Sequence, residues 1–135
     1  MFEDTAFLYV EDDAPSRQVM NLVMKRIMQV PHLATFQDSI DFIARLKALD
    51  PPPTVFLLDI HIQPHDGFAM LQMIRQEPQF ATAKIIALTA SVMNEEVAQL
   101  RVSGFDGAIS KPLNVIVFPE LIRQIVAGEA VWFIQ

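Results

Sequence analysis

Glu11, Asp12, Asp59, Thr89 and Lys111 are the residues of this chain whose types and placement make a chemical set. Each follows or closes a short apolar run: residues 6–10 lead into Glu11-Asp12-Asp13, 54–58 into Asp59, 84–88 into Thr89, and 107–110 into Lys111. Asp is also common where a strand gives way to a loop, so Asp59 alone would read as a cap. The set reads differently. Three carboxylates drawn into one crevice repel and raise one another's pKa values unless a cation sits among them. Oxygen ligands without His or Cys suit Mg²⁺, which keeps several waters and takes one or two carboxylates directly. Lys111 would then act as a point charge towards anionic oxygens and Thr89 as a hydrogen-bond donor. An oxygen nucleophile, a divalent cation, and cationic and hydroxyl stabilisers are the parts of a phosphoryl-transfer site.

These residues can meet only if the apolar runs are strands of one parallel sheet, because ligands bind at the carboxyl ends of such strands. The run Thr54-Val55-Phe56-Leu57-Leu58 shows no polar alternation, as expected of a strand buried on both faces. Helical stretches separate the runs. Pro15 and Ser16 open one carrying Val19, Leu22, Val23, Arg26 and Ile27, which Pro31 stops before a weak strand at 32–36. Asp38 or Ser39 is expected to cap a second, with Ile40, Ile43, Ala44 and Leu46 on one side, and Pro51-Pro52-Pro53 follows it. After Asp59 a turn-rich loop, 60–67, leads to a helix with Phe68, Leu71, Met73 and Ile74 that ends near Pro78. Asn94 is expected to cap the fourth, in which Val97, Leu100 and Arg101 share a face and Gly104 is the terminator. A last helix is expected from about 115 to 127, with Pro119 in its first turns. The apolar stripes of all five are read as core.

Five strand-then-helix units imply right-handed crossovers and helices on both faces of the sheet, a doubly wound α/β fold. Residues 1–135 are expected to form a single domain, since a chain of this length is one domain's worth. There is no cysteine, which excludes disulfides and thiolate metal sites. A formal charge of −6 argues against nucleic acid as a direct partner. The apolar runs are too short and interrupted for a membrane span, and the acids Glu3 and Asp4 stand where a signal peptide would be basic. With only four glycines, neither GxGxxG nor GxxxxGK[ST] occurs, so a nucleotide-binding loop is not indicated.

Glu11-Asp12, Asp59 with Asp66-Gly67 beyond it, Thr89-Ala90 and Lys111-Pro112, in that order and spacing, resemble the receiver domain of two-component response regulators. The likeness covers practically the whole chain. It implies a flavodoxin-like (βα)5 fold with a five-stranded parallel sheet of order 2-1-3-4-5. It implies that Asp59 takes a phosphoryl group from a histidine kinase or phosphotransfer protein, and that the signal passes to a protein partner through a conformational change. Mg²⁺ would be bound directly by Asp12 and Asp59, through water by Glu11, and by the backbone carbonyl of His61. Thr89 would move towards the phosphoryl oxygens, Lys111 would pair with Asp59 or its phosphate, and the Lys111-Pro112 peptide would be cis. No enzymatic activity is implied beyond self-phosphorylation and self-dephosphorylation, and the expected setting is cytoplasmic, as a monomer or a weak homodimer through the last two helices.

Three positions depart from the family pattern. Gln63 stands where a Pro is usual, with Pro64 one place later; His61 stands two residues beyond the acceptor; and Ala108 replaces the aromatic residue usual three places before Lys111. A haloacid-dehalogenase-type phosphatase would need a second Asp where His61 stands. A receiver-like scaffold that is never phosphorylated would be expected to lack an acid, the Thr or the Lys, and none is lacking. Asp13 is read as a helix-start charge, and His32 and His65 as surface residues. The apolar tail Val131-Trp132-Phe133-Ile134 is left between folding back on the domain and forming a partner face.

Overall fold

The computed structural model describes residues 2–135. Strands β1 (Ala6–Val10), β2 (His32–Phe36), β3 (Val55–Asp59), β4 (Lys84–Thr89), β5 (Gly107–Ser110) and β6 (Val131–Phe133) form one sheet of order β2-β1-β3-β4-β5-β6. Every pairing is parallel. The helices are α1 (Ala14–Asn21), α2 (Phe42–Lys47), α3 (Gly67–Arg75), α4 (Asn94–Ser103) and α5 (Phe118–Val126). The five-stranded flavodoxin-like order expected from the sequence is present, and the tail adds the sixth strand.

All five residues of β1 and of β3 are buried, which explains the absence of polar alternation: each face of the sheet carries helices. Leu8, Val10, Phe56, Leu58, Ile85 and Ala87 point into a core closed by Phe42 and Leu46 of α2, Met70, Leu71 and Ile74 of α3, and Leu100 of α4. Phe7, Tyr9, Val55, Leu57, Ile86 and Leu88 point the other way, onto Met20, Val23 and Met24 of the first helical segment and Phe118, Ile122 and Ile125 of α5. The alternation of side chains along a strand thus assigns α2, α3 and α4 to one face and α1 and α5 to the other.

Several local expectations need correction. Residues 22–27 continue α1 as a π-helical turn, whose wider turn rotates later side chains away from the sheet. Leu22 and Ile27, read as core, are exposed, as is Val19 ahead of this turn, whereas Val23, also read as core, is buried together with Met20 and Met24. Neither Asp38 nor Ser39 caps α2. Asp41, in the left-handed conformation at φ 48°, precedes the helix, while Asp38 accepts from the Ile40 amide and pairs with Arg45 at 2.8 Å. Ile40 is exposed, and Phe42 and Leu46 take the buried face. Asn94 is the first residue of α4, whose N-cap is Met93 without a side-chain cap. The last helix begins at Phe118, because the Asn114 side chain accepts from the amides of Ile116 and Val117 in the turn before it. Gly104 does end α4, at φ 108°.

Candidate functional site

The register of β1 on β3 sets Val10 opposite Leu58, so the next residues, Glu11 and Asp59, emerge side by side. Asp59 still pairs with Leu88, and Thr89 with Ser110, which brings Lys111 out beside them. One oxygen each from Glu11, Asp12 and Asp59 lies within 4.8 Å of the others. Asp12 is exposed, whereas Glu11 and Asp59 are 1% and 4% exposed. Lys111 Nζ reaches between the buried pair, donating to Glu11 Oε1 at 3.0 Å and to Asp59 Oδ2 at 3.2 Å. The cation that three crowded carboxylates demand is thus supplied in part by the chain itself.

The loops around the strand ends are fixed by short polar contacts. Asp13 caps α1, its side chain accepting from the Ser16 amide at 2.9 Å and hydroxyl at 2.6 Å, and it touches the carboxylate cluster only through its amide, which donates to Glu11 Oε2 at 3.3 Å. Asp66 caps α3 by accepting from the Ala69 amide at 2.8 Å. Gly67 donates its amide to the Ile60 carbonyl, and a Cβ there would stand 2.9 Å from Ile60 Cα and 3.2 Å from the Asp59 carbonyl oxygen. Only glycine lets α3 begin so close behind Asp59. In the loop between them, the Gln63-Pro64 peptide is cis, and the Gln63 carbonyl accepts from the Ser39 amide at 3.1 Å. Ser39 Oγ donates to the His65 carbonyl and accepts from the His65 amide, both at 2.7 Å. The Lys111-Pro112 peptide is cis as well.

The protonation states follow from the geometry. Burial pushes Glu11 up to about 7, assisted by the hydrogen bond and charge of Asp59, with Lys111 opposing. Burial acts upwards on Asp59 too, but hydrogen bonds from Glu11 and from the His61 amide, with Lys111 beside it, hold Asp59 below the ordinary carboxylate range. Burial works against the Lys111 cation, yet its bonds and attractions to Glu11 and Asp59 raise its pKa. The pair therefore divides its roles, with Asp59 carrying the negative charge and Glu11 the last proton. Tyr9, whose burial and proximity to Glu11 keep it protonated, donates its hydroxyl to Glu11 Oε1 at 3.3 Å.

The structure brings Glu11, Asp12, Asp59 and Lys111 together. Thr89 ends the neighbouring strand, but its hydroxyl is occupied locally, donating to the Ser91 carbonyl at 3.3 Å and accepting from the Ser91 amide at 3.1 Å. His61 joins through its backbone amide, which donates to Asp59 Oδ1 at 3.2 Å, and its ring is exposed. His32 and His65 are exposed, as expected. Two contributors were not singled out from the sequence. Tyr9 is the one phenol in an otherwise apolar strand, two residues before Glu11 and so on the same side of it, a signal available in the pattern. Ser39 gave none, because its partner lies 26 positions away.

The three carboxylates offer hard oxygen donors and no softer ligand, two of them buried and one open to solvent, which fits a partly hydrated Mg²⁺. A doubly wound parallel sheet with acids, a hydroxyl and a lysine at its carboxyl edge defines the receiver class. Residues 7–123 match the response regulator receiver domain, and the chain belongs to that family. Among curated proteins it is 30% identical over 108 residues to stress response regulator protein 1 of Meyerozyma guilliermondii, covering 80% of this chain and 49% of that protein. It is 36% identical over 87 residues to hybrid signal transduction histidine kinase D of Dictyostelium discoideum, 61% of this chain and 6% of that one. The chain thus spans about half or less of the length of these relatives. Among solved structures, the receiver domain of a DNA-binding response regulator from Colwellia psychrerythraea superposes with a TM-score of 0.79 at 23% identity, covering 92% of this chain and 99% of that one. A chemotaxis response regulator of Vibrio cholerae gives 0.78 at 19% identity, over 90% and 98%. No helix among the described residues is long and apolar enough to cross a membrane.

Proposed function

We propose that this chain is a phosphoacceptor receiver: Asp59 takes a phosphoryl group from the phosphohistidine of a kinase or phosphotransfer protein, and the change is passed to a protein partner. The observation that carries this reading is Lys111 Nζ bridging Glu11 and Asp59 at the mouth of the carboxylate cluster. Asp59, held ionised, is the nucleophile. Lys111, held cationic, meets the charge that the incoming group brings. Asp12 and Asp59, with Glu11 through water and the His61 carbonyl, would hold Mg²⁺, which would supply positive charge for the phosphoryl oxygens. Thr89 Oγ1 exchanges its bonds to Ser91 for one to the phosphoryl group, a charge of about −1.5 to −2.

An apolar depression of about 320 Å³ beside the site, lined by Tyr9, Pro15, Val19, Pro112 and Val115, offers the phosphodonor protein a seat within reach of Asp59. Residues 1–135 act as a single domain in the cytoplasm, monomeric or weakly dimeric, without enzymatic activity beyond gain and loss of the group on Asp59. An unphosphorylated scaffold would not need both a lysine and a cluster of three acids at the end of one crevice.

Intact-mass measurement with a small-molecule phosphodonor tests the reading. Wild type should gain one phosphoryl mass in Mg²⁺ and none in chelator, and Asp59→Asn should gain none. Equal modification of Asp59→Asn, or modification undiminished by chelator, overturns it.

A further inference from the structure

The tail is joined to the site from two sides. Gly107, Ala108 and Ile109 pair with Val131, Trp132 and Phe133, so β6 lies along the edge of β5. A Cβ at Gly107 would overlap the Val131 carbonyl oxygen and lie 3.0 Å from its carbon, so the close approach depends on a residue without a side chain. Beyond the strand, the Gln135 amide donates to Ser110 Oγ at 3.0 Å, and Ser110 is the partner of Thr89 in the sheet. On the other side, the Arg101 guanidinium of α4 stands 4.4 Å over the Trp132 ring.

The Arg101 anchor is on an element that changes easily, and the strap itself is short, whereas Ser110 belongs to the buried strand β5. Within α4 the one fully buried residue is Leu100, and Val102 is 85% exposed, so little apolar surface fixes this helix to the sheet. No side chain caps its first turn. The segment that leads into it is tied to β4 by the two bonds between Thr89 and Ser91. β6 itself is three residues long, with Val131 alone fully buried. Segments with few buried apolar contacts open first.

We propose that β6 is a detachable strap, held on β5 in the resting state by Arg101 and Ser110 and released when Asp59 carries a phosphoryl group. This rests on the function proposed above. When Thr89 gives up Ser91, the start of α4 loses its tether, Arg101 leaves the Trp132 ring, and the strap loses its contact with that cation, leaving the packing of Val131, Trp132 and Phe133 on the two cores and the Ser110 bond to hold it. Release bares the edge of β5 and the apolar side of β6, a surface present only in the phosphorylated protein.

Trp132 is the only tryptophan, so its fluorescence reports the strap directly. The experiment follows acrylamide quenching of Trp132 and amide exchange over residues 131–135 in the full chain, with a small-molecule phosphodonor and Mg²⁺, and reads the mass of the same samples. In samples whose mass shows the phosphoryl group, quenching should rise and exchange should quicken roughly tenfold. A phosphorylated sample with both readings unchanged overturns the strap while leaving the receiver reading intact; a sample that never gains the mass overturns both. Gly107→Ala should make unphosphorylated protein as quenchable as phosphorylated wild type. Should that variant fail to fold, Arg101→Gln takes its place, with a smaller rise expected. If the folded variant shields Trp132 as the resting wild type does, the proposed contacts do not hold the strap.

Discussion

Replacing Glu11 by Gln should remove a pH dependence from the stability of the metal-free protein. The Glu11 carboxyl has an ordinary value of 4.5 and is raised to about 7 in the fold. Between those values the native state binds more protons than the unfolded chain, so stability falls as pH rises through the window, and the loss is complete above about 7. The difference corresponds to about 3 kcal/mol, or about 10 °C in melting temperature for a chain of this size. Asp59 is shifted the opposite way, and its contribution is lost only as pH falls below the ordinary carboxylate range, so the two windows do not overlap. Gln is neutral throughout and can still accept from Tyr9 and Lys111. In chelator, therefore, Glu11→Gln should melt close to wild type at pH 5 and well above it at pH 8. Melting curves of both proteins across that range, at fixed ionic strength, are the assay. Parallel curves would refute the placement of the last proton on Glu11.

Magnesium should reverse the trend in wild type, because binding draws on the ionised carboxylates: the melting temperature should rise with Mg²⁺ more at pH 8 than at pH 5, as a titration of melting temperature against Mg²⁺ would show. Ser39→Ala strips the His65 amide and carbonyl of their partner and should lower stability by about 1–3 kcal/mol in denaturant melts, with faster amide exchange in the loop after Asp59. Gly67→Ala forces a methyl against Ile60 Cα and should cost about 1–3 kcal/mol while displacing Asp59, so that phosphorylation slows even where the protein is folded.

The strand ends were legible because burial on both faces leaves one readable event per strand, the first polar residue after an apolar run. Glu11, Asp59 and Thr89 announce themselves so, and Lys111 stands one place further on, behind Ser110. Helix faces were less legible. The stripe Val19, Leu22, Val23, Arg26 and Ile27 has α-helical spacing, but the π-turn changes the angle per residue from Leu22 on, and only the fold shows that Met20 and Met24 join Val23 against the sheet while Val19, Leu22 and Ile27 are exposed. Ser39 and the tail depend on contacts distant in the chain, Ser39 on His65 and Trp132 on Ala108 and Arg101. Gly107 was a usable clue to the sixth strand, since a glycine in a buried strand marks a close backbone approach.

Chemical trapping of the phosphoryl group tests the central claim most directly. Borohydride reduces an acyl phosphate to the alcohol, so phosphorylated protein treated in this way and digested should yield a peptide with homoserine in place of Asp59, and no other converted acid. Conversion at Asp12 or Glu11, or phosphorylated protein with Asp59 intact, would contradict the assignment of the acceptor.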